Sequence, residues 1–193
     1  MPFDLKQTDE LLATTRAVRK RLDLDRPVPR EVILECLRLA VQAPTGSNSQ
    51  TWRWMIVDDA EKKAAIAALY RANALAYLEA AQKAAEVEGG QNARVFGSAV
   101  WLAENLGKVP TFVIPCVQGR LPETAPVAMT ASVFGSIFPA VWSFQLALRA
   151  RGLGSALTTL HLPTEKQVAD ILGIPDDVMQ VALLPEWLHF VHL

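Results

Sequence analysis

The sequence contains one long stretch without a charged side chain, from Thr124 to Leu148, which is 25 residues. A stretch of this length can cross a bilayer as a helix. It nevertheless contains two prolines, a glutamine, three serines and two threonines, and no Lys/Arg cluster or aromatic belt flanks both of its ends. A helix that is apolar nearly all round is also typical of the centre of a folded domain. We therefore predict a buried central helix here, and no membrane span.

The rest of the composition indicates one folded domain, residues 1–193. The chain is 51% hydrophobic and 20% charged, which excludes a disordered protein. The charged fraction is slightly below the usual value, which is consistent with additional surface buried between subunits. The net charge of −1 argues against a general nucleic-acid-binding protein, because such proteins carry a basic face.

Cysteine and histidine usage predicts neither a disulfide nor a metal site. Cys36 and Cys116 lie in apolar stretches and form no C-x-x-C pair, so we expect two buried free thiols. His161, His189 and His192 show no metal-ligand spacing. The first residues lack the apolar core of a signal peptide. Together these features favour a reducing, cytoplasmic location.

The hydrophobic periodicity predicts helices and strands in mixed order. The predicted helices are residues 5–14, 29–43, 59–88, 98–105, 126–151 and 164–172, and the predicted strands are residues 52–57, 110–117, 154–160 and 178–184. Because no linker is long enough to divide the chain, the pattern is that of one α+β or mixed α/β domain.

Three short segments carry side chains suited to binding a cofactor. Arg16 and Arg19 are three positions apart, and guanidinium groups hold phosphate oxygens through paired hydrogen bonds. The segment Pro44–Gln50 is a polar turn whose amides offer both donors and acceptors, which suits a flavin ring or its ribityl chain. Thr158 and Thr159 lie in the predicted strand 154–160, after Gly152 and Gly154, whose lack of a side chain would let the backbone approach a flat ligand. Each segment alone is also compatible with an ordinary surface.

Side-chain catalysis is not indicated anywhere in the chain. The sequence shows no Ser/His/Asp set, no close carboxylate pair and no Walker loop. A lone histidine after a strand, such as His161, is more typical of a structural residue than of a proton donor. This pattern favours an enzyme whose cofactor performs the chemistry.

Several motifs in this order resemble the FMN-dependent nitroreductase family from Thr14 to Pro185. The resembling segments are Thr15–Arg19, Pro27–Pro29, Ala43–Trp52, Leu172–Asp177 and Ala182–Pro185. The resemblance implies a central, mostly antiparallel sheet surrounded by helices, in a homodimer whose core includes the long uncharged helix. It also implies a non-covalent FMN at the dimer interface, with both subunits contributing.

The same resemblance implies which residues bind FMN. The arginines would hold the phosphate, the polar turn would reach the flavin or ribityl chain, and the threonines would lie beside the isoalloxazine ring. The residues at these positions are Arg16, Ala17, Arg19, Pro44, Thr45, Asn48, Gln50, Thr158 and Thr159. No catalytic side chain is implied, since NADH or NADPH would deliver hydride to flavin N5. The electrons would then pass to a nitroaromatic, a quinone or a similar small acceptor.

Departures from the family pattern leave alternatives open. Thr15 and Ala17 stand where family members commonly have arginine and serine. The expected basic tail is absent, because no Lys or Arg follows Lys166, and the end after Pro185 is short and unusually apolar. A flavin-dependent reductive dehalogenase, a flavin-cleaving relative, or a dimeric binding protein with little flavin therefore remain alternatives.

Overall fold

The computed structural model describes residues 3–20 and 22–189. The helices are α1 Leu5–Thr14, α2 Arg30–Ala40, α3 Ala60–Glu88, α4 Gln91–Asn105, α5 Val127–Arg149 and α6 Glu165–Leu172. The strands are β1 Leu22–Asp23, β2 Trp52–Val57, β3 Thr111–Gln118, β4 Leu153–Ser155, β5 Val178–Gln180 and β6 Leu184–His189.

The six strands form one sheet in which every paired strand is antiparallel to its neighbour. The order is β1-β6-β3-β2, with β4 also paired to β6 and β5 to β3. This arrangement confirms the predicted α+β class with an antiparallel central sheet. Strand β2 lies at one edge, where Trp52 is opposite Val117 of β3.

Helices cover both faces of the sheet, so the core has two halves. Successive side chains of β3 alternate between them, as the twofold repeat of a strand requires. Phe112 and Ile114 pack with α3 and α4, whereas Val113 and Val117 pack with α2 and α5. A strand that is buried on both faces has a nearly continuous run of apolar residues. Residues 111–117 of β3 are all buried, and Thr111 is the polar residue among them.

Helix α3 has clear signals at both of its ends. The Asp59 carboxylate accepts from the Lys62 amide at 2.9 Å, which caps the first turn. Gly89 and Gly90 both have positive φ and end the helix. The predicted start of the next helix at Ser98 is wrong, since α4 begins at Gln91, directly after the glycines. Packing of α4 along α3 stabilises this additional first half.

Two predicted strands differ from the observed ones. The segment predicted at 154–160 is only Leu153–Ser155, followed by an isolated bridge between Thr158 and Leu183. The segment predicted at 178–184 is divided into β5 and β6. Pro115 of β3 explains this division, because it has no amide to donate to the neighbouring strand.

The chain end predicted as a tail after Pro185 is instead the second half of β6 up to His189. This strand lies between β1 and β3 in the sheet, and both Glu186 and Trp187 are fully buried. The apolar character of this segment therefore reflects core packing. The remaining residues of the predicted tail, 190–193, lie outside the described residues.

Helix α5 is only partly buried within one chain, with seven of its 23 residues buried. Its second half fills the core between the sheet and α2, with Val141, Phe144 and Leu148 fully buried. Its first half leaves Val127 and Met129 exposed, so the prediction of a wholly buried helix is wrong for a single chain. By length and composition alone the helix could cross a membrane. Its buried residues pack with α2 and the sheet, so this helix is part of the domain core.

Candidate functional site

The arginine segment leaves α1 and runs beside β4. Thr15 ends the helix: it is buried, and its hydroxyl donates to the Leu11 carbonyl at 2.5 Å. The Val18 amide then donates to the Ser155 carbonyl at 3.0 Å. Arg16 is exposed, and one of its guanidinium nitrogens donates to the Thr15 carbonyl at 2.8 Å. The backbone of this segment is thus fixed, while its cationic groups remain at the surface.

Arg19 reaches the helical pair formed by α3 and α4. Its guanidinium donates to the Ser98 hydroxyl of α4 at 3.3 Å. Its positive charge also acts on Tyr70 of α3, where it opposes the effect of burial, which raises the pKa of the phenol. Arg19 is therefore anchored to α4 through Ser98.

The threonine segment is attached to α3. The backbone of Thr158 exchanges two hydrogen bonds with Leu183, at 3.0 and 2.8 Å. The Thr158 hydroxyl lies 2.9 Å from the Tyr70 hydroxyl. Thr159 is exposed beside it. The fold therefore brings the arginine segment and the threonine segment together, through Ser155 and Tyr70.

The polar turn has an unusual backbone. Ser47, Asn48 and Gln50 have φ values of 53°, 52° and 47°, and they are the only residues other than glycine with positive φ in the described chain. Left-handed backbone costs about 1–2 kcal/mol per residue for side chains other than glycine. Such conformations concentrate at ligand-binding sites. The turn thus carries backbone strain that a plain connecting loop does not need.

Hydrogen bonds hold this turn in place. The Gly46 amide donates to the Ser136 hydroxyl of α5 at 2.9 Å. Within the turn, the Gln50 side-chain amide donates to the Asn48 side-chain oxygen at 3.0 Å, and the Gln50 backbone amide donates to the Thr45 hydroxyl at 3.3 Å. Pro44 and most of the turn are exposed.

The turn and the arginine segment do not meet within one chain. Among residues 3–20 and 22–189, no hydrogen bond joins the turn to Arg16–Arg19 or to Thr158–Thr159. The turn contacts α5 at Ser136. The arginine segment is attached to Ser155 of β4, whose hydroxyl accepts from Gln145 of α5 at 2.9 Å. Ser136 and Gln145 are nine positions apart, which corresponds to about 13 Å along the helix. A single protomer therefore separates two of the predicted cofactor-binding elements.

A cavity of about 460 Å³ opens beside Thr159. The aromatic rings of Phe134 and Phe138 form one wall, stacked with centroids 5.6 Å apart. Arg120 and Glu165, which form an ion pair, contribute charged groups to the lining. The cavity therefore combines a flat apolar wall with a polar rim.

His161 is fully buried and does not line this cavity. Burial lowers the pKa of its imidazole to about 4, although the Glu165 carboxylate and the Gln180 amide act in the opposite direction. The side chain is therefore neutral at pH 7 and has no access to solvent. Among the described residues, no cluster of three His, Cys, Asp or Glu side chains is arranged to hold a metal ion.

Sequence reasoning missed Tyr70, Asn73 and Ser98. Asn73 donates to the Leu160 carbonyl at 3.2 Å and to the Thr164 hydroxyl at 2.9 Å. The Tyr70-x-x-Asn73 spacing was the available signal, because it places two polar side chains on one face of an alanine-rich helix.

Comparisons with known proteins identify the family of this chain. Residues 12–184 match the model of the Nitroreductase family. An iodotyrosine deiodinase from Thermotoga neapolitana is 25% identical over 174 residues, covering 90% of this chain and 84% of that protein.

Solved structures show the same fold. A crystal structure of oxidised iodotyrosine deiodinase, bound to FMN and 3-iodo-L-tyrosine, aligns with a TM-score of 0.71 at 24% identity, covering 93% of this chain and 88% of that one. An FMN- and NADPH-dependent nitroreductase from Sphigopyxis sp. strain HMH aligns with a TM-score of 0.69 at 19% identity, covering 94% and 88%.

Proposed function

This chain belongs to the nitroreductase family of flavin oxidoreductases, and on that premise we propose that it is an FMN-dependent NAD(P)H oxidoreductase formed by one domain, residues 1–193. The observation that carries this proposal is the hydrogen bond from the amide of Val18, which lies between the two arginines, to the carbonyl of Ser155, three residues before Thr158, at 3.0 Å. It places a cationic segment beside a hydroxyl-bearing segment in a family whose solved relatives bind FMN.

The side chains present fit FMN. A phosphate needs positive charge with directed donors, and Arg16 has guanidinium donors beyond the one that contacts Thr15. Ala17 adds backbone between the two arginines. Thr45, Asn48, Gln50 and the Thr158–Thr159 pair supply hydroxyls and amides for the ribityl chain and ring. The turn's positive φ values support a binding role as well.

We place the cofactor between two copies of the chain. The turn and the arginine segment are separated within one protomer, yet both contact α5, whose first half exposes apolar side chains such as Val127 and Met129. Pairing of two α5 helices would cover this surface and bring Pro44–Gln50 of one copy toward Arg16 and Thr158 of the other. The protein is thus proposed to be a cytoplasmic homodimer.

FMN, when bound, would supply the redox chemistry for electron transfer from NADH or NADPH to a small acceptor. The protein's own residues bind, orient and shield, and none of them is proposed as a nucleophile. The cavity beside Thr159, with its wall of Phe134 and Phe138, suits a flat acceptor such as a nitroaromatic or a quinone.

A second candidate reaction is reductive dehalogenation, which the identity to an iodotyrosine deiodinase favours. Assays of nitroaromatic, quinone and halophenol reduction, each with NADH and with NADPH, distinguish these reactions. Measurement of oxygen-dependent FMN loss in the same samples tests for a flavin-cleaving relative.

Titration of the apoprotein with FMN tests the proposed cofactor. The wild type should bind FMN, and Arg16→Ala should weaken binding by about 1.5–3 kcal/mol because one charge-assisted contact is lost. Arg38→Ala is the matched control, since Arg38 is an exposed arginine on α2. No FMN uptake by the wild type would overturn the proposal. Feeble binding that is unchanged in Arg16→Ala would favour a dimeric binding protein instead.

A further inference from the structure

We propose that Tyr70 is a positioning residue of the flavin site, which fixes the direction of the Thr158 hydroxyl next to Arg19. This inference rests on the proposed FMN function. It concerns a residue of α3 that is 88 positions away from Thr158 in the sequence and would not itself contact the cofactor.

Within the described part of the chain, the Tyr70 hydroxyl has one hydrogen-bond partner, and the ring lies in an apolar core. Tyr70 is 2% exposed and packs among the apolar side chains that α3 and α4 place against the sheet. A buried hydroxyl without a partner costs about 1–3 kcal/mol. Its hydroxyl lies 2.9 Å from that of Thr158, so this contact satisfies it. The two hydroxyls therefore hold each other in one orientation.

The backbone of Thr158 is fixed independently of this contact. Its two hydrogen bonds with Leu183 hold the main chain against the sheet. The remaining freedom is the side-chain rotamer. The Tyr70 hydroxyl at 2.9 Å is its shorter contact, and the Leu160 amide also donates to the Thr158 hydroxyl at 3.5 Å. Because Thr158 is only partly buried, this rotamer determines how its hydroxyl meets a ligand at the surface.

Arg19 connects this pair to the phosphate-binding segment. Its charge acts on the Tyr70 hydroxyl, and its guanidinium donates to Ser98 on the adjacent helix. One turn further along α3, Asn73 holds the Leu160 carbonyl and the Thr164 hydroxyl. The α3–α4 pair thus sets the position of Arg19 relative to the segment 158–164.

The two tyrosines of the chain provide a matched test. Tyr70→Phe removes the buried hydroxyl, whereas Tyr77→Phe removes one on the same helix whose residue is 60% exposed. We expect Tyr70→Phe to weaken FMN binding by about 3- to 10-fold and to shift the visible spectrum and midpoint potential of bound FMN. Tyr77→Phe should match the wild type in all three measurements.

Variants of Thr158 test whether Tyr70 acts through it. Thr158→Val should weaken FMN binding to a similar extent, Thr158→Ser should retain it, and the Tyr70→Phe/Thr158→Val double variant should bind no more weakly than either single variant. The two Thr158 variants keep the inference testable if Tyr70→Phe does not fold, because equal FMN binding by both would show that the Thr158 hydroxyl does not matter and would overturn the inference.

The outcomes separate this inference from the proposed function. Tyr70→Phe with a lowered unfolding temperature, but with wild-type FMN affinity, spectrum and potential, would show a merely structural role and overturn the inference. Additive losses in the double variant would also overturn it. Absence of FMN binding in the wild type would overturn the proposed function itself, and the role of Tyr70 with it.

Discussion

Glu186 and Trp187 are consecutive residues of β6, both fully buried, and they point to opposite faces of the sheet. Trp187 packs with the α3–α4 half of the core. Glu186 enters the α2–α5 half, between Thr111 of β3 and Ser155 of β4, and burial raises its pKa well above the usual value. One face of β6 therefore contributes an aromatic ring to the core, while the other face buries a carboxyl group.

This carboxyl group should make the protein less stable as the pH rises. Its folded pKa is above the unfolded value of about 4.3, so the folded state holds the proton more tightly. The contribution of Glu186 to the free energy of unfolding is complete below that pH. Above about pH 5 this contribution decreases by roughly 1.4 kcal/mol per pH unit, until Glu186 ionises in the folded state. Urea unfolding measured from pH 5 to 9 should show this decrease in unfolding free energy for the wild type and not for Glu186→Gln.

Glu104→Gln serves as the control for this measurement, because Glu104 is exposed. It should follow the wild-type pH dependence. Parallel curves for the wild type and Glu186→Gln would contradict the prediction.

His161 should act in the opposite direction, at acid pH. Its folded pKa of about 4 is below the unfolded value of about 6.5. The unfolded state therefore binds the proton first as the pH falls, so the stabilisation is complete above pH 6.5 and lost toward pH 4. Relative to His161→Met, the wild type should lose about 3 kcal/mol of unfolding free energy over this range. An unchanged difference between the two proteins from pH 7 to 4 would refute this.

Cys36 and Cys116 should be inert in the native protein. Both are fully buried, and burial raises their pKa to about 11 and about 12 respectively. Since the thiolate is the reactive form, a disulfide thiol reagent at pH 8 should label neither cysteine in the folded state and both in denaturant. Rapid labelling of the native protein would show that one thiol is accessible.

The polar turn offers two serines with opposite backbone requirements. Ser47 has φ 53°, whereas Ser49 has φ −72°. Glycine accepts the left-handed conformation without cost but loses more entropy on folding. Ser47→Gly should therefore be more stable than Ser49→Gly by about 1–2 kcal/mol, measured by chemical unfolding. Equal stabilities would indicate that the turn is not strained at Ser47.

Local signals account for what the sequence predicted well. The polar-to-apolar periodicity, the Asp59 cap and the glycine pair after Glu88 predicted α1, α2, α3 and α6 closely, and the edge strand β2 at its observed bounds. The ordered motifs predicted the family and the antiparallel α+β fold. The bounds of these helices and of β2 depend on residues close together in the chain, where propensity and capping decide the outcome.

Tertiary contacts decided the rest. Val178–His189 is two strands because β3 pairs with it on either side of Pro115. Residues 186–189 belong to a central strand because they pair with β1 and β3 on opposite sides. The contact between Tyr70 and Thr158 joins residues 88 positions apart, which no local pattern encodes. The sequence thus determined the elements and the chemistry available to them. Only the packing of α3 and α5 against the sheet decided which of these side chains meet, because long-range contacts depend on the whole core.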